Sequence, residues 1–101
     1  MKQKGVEGFS VEWEVMPKIS EFFGISIFMF YRYHHPAHFH VLYGGQEVTV
    51  SLESAEVLSG LMSPRALGLV REWARERGDK LQGNWEKARN HQPLDWIEPL
   101  A

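Results

Sequence analysis

The chain has 101 residues, 44% of them apolar and 13% aromatic, with no cysteine and a formal net charge of −2. That length allows one domain with a single core, and the composition excludes extended disorder, disulfides and thiolate metal sites; the charge gives no support to bulk attraction to nucleic acid. No apolar run reaches the roughly 20 residues that span a bilayer, and the opening MKQKGVEGFSVEWEV breaks its apolar positions with Glu7, Glu12 and Glu14, unlike a signal peptide, so the expected compartment is the cytoplasm, with no membrane partner.

Residues 1–15 read as an N-terminal extension in which Val11, Trp13 and Val15 alternate with Glu12 and Glu14. This is the pattern of a half-buried extra strand, able to pair with a sheet edge or with a second copy. Met16-Pro17 interrupts it, and a single α+β domain is expected over 16–101. Ser20 to Phe23 reads as a short turn broken by Gly24. The run ISIFMFYRY, Ile25 to Tyr33, is the most apolar in the chain and predicts a central strand covered on both faces over much of its length.

Four of the five histidines follow within seven residues: His34, His35, His38 and His40. After Pro36 the segment HFHVLY alternates and stops at Gly44-Gly45, a pair suited to the positive φ angles of a two-residue hairpin turn. Residues two apart on a strand share a face. Phe39, Val41 and Tyr43 therefore face the core, while His38, His40 and Leu42 lie on the wetter side, with His34 or His35 able to fold back beside them. The returning strand QEVTVSL points Val48, Val50 and Leu52 inward. It places Glu47 or Thr49 on the histidine face, so Glu47 is the best carboxylate partner available, as ligand or as orienting group. Residues 54–60 read as a short strand or turn.

Ser63-Pro64 predicts a helix start, with Ser63 as the cap and Pro64 in the first turn. Ala66, Leu67, Leu69, Val70, Trp73 and Ala74 fall on one face of that helix, to pack on the sheet. Gly78 ends it, and Asp79 with Gln82 resembles a capping box opening a second helix that carries Leu81, Trp85 and Ala88. Trp73 and Trp85 read as core. Residues 65–89 carry +3 against −5 for the remainder, a contrast suited to an acidic protein partner or a phosphate-bearing ligand. Arg65, Arg71 and Arg75 are the candidate contacts, with a solvated helix face as the plain alternative. The tail HQPLDWIEPLA cannot extend the helix past its prolines, so Leu94, Trp96, Ile97 and Leu100 are expected to lie back over the core. The predicted architecture is α+β: a small antiparallel sheet of about four strands followed by two C-terminal α-helices packed on one face.

From Met16 onward the chain resembles the small prokaryotic family called domain of unknown function 4160. The resemblance rests on MPKISEFFGISI (16–27), HPAHFHVLYGG (35–45), SPRALGLVREWA (63–74), LQGNWEKAR (81–89) and IEPL (97–100). It carries over His34, His38, His40, Tyr43, Gly44, Arg65, Trp73 and Trp85. Tyr33 stands where the family usually has an acid, and Ala37 replaces the second of two prolines. The resemblance implies a component of a toxin–antitoxin-like pair, working with a protein partner from a neighbouring gene.

Three uses of the histidine cluster follow from the residues. Imidazole is the commonest metal ligand near neutral pH, so His34, His38, His40 and Glu47 are a candidate set for a divalent transition metal such as zinc. His38 and His40 are equally candidates for general acid and base in cleavage of an RNA phosphodiester, with Arg32 steadying the anion. The third use is structural, each ring nitrogen bonded to backbone and no chemistry. The preferred reading is a binding module with a toxin-like role that acts through its protein partner, with a homo-oligomer and an RNA contact left open.

Overall fold

The computed structural model describes residues 17–30 and 36–101. Five antiparallel strands form one sheet in chain order: β1 (Lys18–Phe22), β2 (Ile25–Phe28), β3 (His38–Tyr43), β4 (Gln46–Ser51) and β5 (Val57–Gly60). Two helices follow, α1 (Pro64–Glu76) and α2 (Gly78–Arg89). The α+β class is as expected, with five strands in place of about four. The expected strand over residues 11–15 lies outside the described residues, as do Tyr31 to Tyr33 at the end of the expected central strand.

The β3–β4 hairpin follows the alternation of its sequence. Phe39, Val41, Val48 and Val50 are all buried on one face, and Gly44-Gly45 makes the turn at φ 55° and 80°. The first helix covers that face: the Trp73 ring on α1 lies 5.5 Å from Phe22 and 5.9 Å from Phe39. Ser63 caps α1 as the sequence predicts, its hydroxyl accepting from the Ala66 amide at 3.2 Å. Trp85, Leu81 and Ala88 of α2 are buried as expected.

Three local expectations are corrected. Residues 20–22 are strand, and the turn moves to Phe23-Gly24. Ser20 can be buried in β1 because its hydroxyl donates to the Ile97 carbonyl at 2.8 Å, while the Ile97 amide donates to the Ile19 carbonyl at 2.7 Å. No capping box opens α2. Arg77 is the residue before it, without a side-chain cap bond, because backbone bonds run across the junction from the Arg77 amide to the Trp73 carbonyl and from the Leu81 amide to the Arg77 carbonyl. In the tail Ile97 and Leu100 are buried, but Trp96 is 58% exposed. An extended backbone that turns Ile97 inward turns its neighbour out.

Polar groups hold the tail in place. The Trp73 indole N–H donates to the Glu98 carbonyl at 2.9 Å, and buried Asn84 both donates to and accepts from the backbone of Asp95 at 2.9 Å. Arg77 adds bonds to the carbonyls of Glu98 and Pro99, each at 2.9 Å. Three buried donors or acceptors that would otherwise each cost about 1–3 kcal/mol are satisfied this way. Among the described residues no helix is long and apolar enough to cross a membrane.

Candidate functional site

His38 and His40 sit on β3, on the face opposite Phe39 and Val41, directly across from Ser51 and Thr49 of β4. Their rings are 5.2 Å apart and nearly perpendicular. Local chain geometry sets the first of them. The bend at Pro36 brings its carbonyl to 2.8 Å from His38 Nδ1. A carbonyl only accepts, so Nδ1 carries the hydrogen, and in the neutral ring Nε2 presents a lone pair. The ring also lies 5.6 Å from the Trp85 indole.

His40 is held differently. Its side chain is 13% exposed, and the Phe30 ring stands edge-on at 4.2 Å. Thr49 Oγ1 is 3.4 Å from Nδ1 and the exposed Glu47 carboxylate is 3.8 Å from the same atom, while Nε2 is buried without a hydrogen-bond partner among the described residues. Burial lowers the pKa of this ring from 6.5 to about 4, and the charge of His38 pushes the same way. His40 is therefore an uncharged imidazole at neutral pH, not a solvated histidine on a wet face.

Glu47 pairs across the sheet with Leu42 and reaches His40 diagonally. Among the described residues no group of three or more His, Asp or Glu is gathered closely enough to hold a metal ion. His34 and Arg32, the remaining members of the predicted metal and catalytic sets, lie outside the described residues.

The three arginines of α1 have different surroundings. Arg71 is committed internally: its Nε donates to the Ala55 carbonyl at 3.1 Å, and a terminal nitrogen lies 3.6 Å from Glu56, which ties α1 to the β4–β5 loop. Arg65 is exposed beside a cleft of about 310 Å³ lined with Phe23, Ile25, Tyr43, Ala66 and Leu69. Arg75 belongs to the other end of α1, near Lys80 and Glu98. Ten residues of helix put about 15 Å between the two ends. Sequence reasoning missed the exposed apolar side chains Phe23, Leu58 and Leu61. Phe23 had a readable signal, since an aromatic in the first position of a tight Xaa-Gly turn is unusual.

Fold and site together define a small α+β protein: an antiparallel meander with a paired-histidine strand at its centre, followed by a helical pair. The family model described as Domain of unknown function (DUF4160) matches residues 24–86, and the chain belongs to that family. The match runs from the β1–β2 turn into α2 and so includes both histidines. No curated protein and no solved structure matches the chain significantly.

Proposed function

We propose that the protein is a partner-binding module, one component of a toxin–antitoxin-like pair that acts through a protein encoded by a neighbouring gene. The observation that carries this reading is the β5 edge. β5 pairs with β4 on one side only, and among the described residues no strand lies along its other side. Leu58 on that strand is 45% exposed and Leu61 just beyond it 85% exposed. An open edge with apolar side chains invites a strand from another chain, whose backbone supplies affinity and whose side chains supply specificity. Co-expression with the neighbouring gene product should give a complex that survives size-exclusion chromatography. The double variant Leu58→Lys, Leu61→Lys should weaken it by roughly tenfold or more while leaving the circular dichroism spectrum unchanged. A wild-type chain that elutes alone would sink the reading.

A second reading has its own support: the lone pair left on His38 Nε2 once Nδ1 bonds the Pro36 carbonyl, and an uncharged His40 whose Nε2 has no hydrogen-bond partner among the described residues. In this reading His38 and His40 are base and acid, or metal ligands with His34 and Glu47, in a hydrolase acting on RNA phosphodiesters with Arg32 as the anion contact. Untagged protein purified without chelators should then hold near-stoichiometric zinc or another transition metal that His38→Ala loses, or should cleave RNA in a His38-dependent way. Neither metal nor cleavage would leave the histidines structural.

A further inference from the structure

The Phe23–Arg65 cleft lies at the turn between β1 and β2 and is lined by none of the β5 residues, and two independent features of it call for an occupant. The first is conformational. Phe23 has φ 51° and Gly24 φ 79°, the same pair of left-handed angles that Gly44 and Gly45 adopt in the other tight turn. Glycine, asparagine and aspartate suit such a position; a bulky aromatic is strained there. Phe23 is nonetheless 61% exposed, with one edge on the Phe22 ring at 6.3 Å, so the fold gains little from its presence. Strain and exposed apolar area combined in one side chain are features that accompany binding surfaces.

The second feature is charge. Arg65 enters none of the ion pairs among the described residues, and the first turn of α1 holds no acidic side chain. An uncompensated cation therefore stands at the mouth of a cleft walled by Phe23, Tyr43 and Leu69. At about 310 Å³ the space is at the small end of ligand pockets, which run roughly 300–1,000 Å³, and suits a few side chains better than a cofactor.

We infer that this cleft is a recognition site for an acidic, apolar peptide segment of a protein partner, with Phe23, Tyr43 and Leu69 receiving an apolar side chain and Arg65 an adjacent carboxylate. The inference rests on the partner-module reading and adds to it a second anchor and the chemistry of the segment that fills it. Guanidinium–carboxylate pairing beside an apolar seat provides both orientation and selectivity against basic segments.

The test is selection of a random-peptide display library on the full chain, followed by affinity measurements on the enriched synthetic peptides. Enriched sequences should combine Leu, Ile or an aromatic with Asp or Glu. Phe23→Asn, which suits the positive φ, and Arg65→Glu, which suits the start of a helix, should each fold normally and weaken binding by about tenfold or more. Arg65→Glu should in turn favour peptides whose acids are replaced by Lys. Enrichment without acidic residues, no enrichment, or binders indifferent to both variants would overturn the inference. Binders lost only in Leu58→Lys, Leu61→Lys would overturn it while leaving the partner module standing, and self-association weakened by Arg65→Glu would give the cleft to a second copy and overturn it too. No enrichment together with no complex in co-expression would remove both.

Discussion

The two faces of the sheet are built from alternate residues of the same strands and treat polarity in opposite ways. On the helix side Phe39, Val41, Val48 and Val50 are closed off from water, and the one polar atom of Trp73 is bonded to the Glu98 carbonyl. On the other side His38 is half-exposed with one nitrogen bonded to the Pro36 carbonyl, and His40 has a buried nitrogen without a hydrogen-bond partner among the described residues. Stability is concentrated on the first face. The second keeps one buried polar atom unpaired among the described residues, at a cost the first can bear, which is the usual distribution when one surface supports and another binds or reacts.

Breaking the helix side should have the largest effect. Trp73→Ala removes a fully buried ring and leaves the Glu98 carbonyl without its donor, and should cost about 3–5 kcal/mol in chemical denaturation. Acid should act next, through His40. Its folded pKa of about 4 lies below the 6.5 of the free side chain, so between those values the unfolded chain binds a proton that the folded chain does not. Stability is full above pH 6.5 and falls as pH drops toward 4, by at most about 3 kcal/mol. His40→Phe, stacked beside Phe30, should flatten that slope; a slope unchanged in this variant would mean that another group is responsible. His38→Ala should change stability least, by about 1 kcal/mol or less, because it gives up one local bond on a part-exposed ring. A loss as large as that of Trp73→Ala would make the histidine face structural and erase the contrast.

What could be read in the sequence was local. Gly44-Gly45 with its flanking alternation placed the β3–β4 hairpin and the shared face of His38 and His40, and Ser63-Pro64 placed the start of α1. What could not be read depended on distant partners. Ser20 looks like a turn residue until the Ile97 carbonyl is beside it, and Arg71 looks like a free cation until the Ala55 carbonyl is. Trp96 and Ile97 are both apolar, and only the bonds of the Ile97 backbone to β1 decide which of them enters the core. For the candidate site, the pairing of the histidines was legible and their inequality was not. The fixed hydrogen on His38 comes from Pro36 two residues away, whereas the neutrality of His40 comes from burial beside Phe30, whose register against β3 no local pattern reveals.

The clamp between β1 and the tail also bears on how the protein is made. The hydroxyl of Ser20 finds its acceptor 77 residues later in the chain, so during synthesis β1 emerges from the ribosome with a buried position unfilled and an edge open. The hairpins and α1 can form as they appear, since their contacts are between neighbours in sequence. Closure of the β1 edge must wait until Ile97 is free to reach it. For that interval β1 lacks, among the described residues, the backbone bond and the buried acceptor that Ile97 later supplies, while β5 lacks a second strand partner throughout.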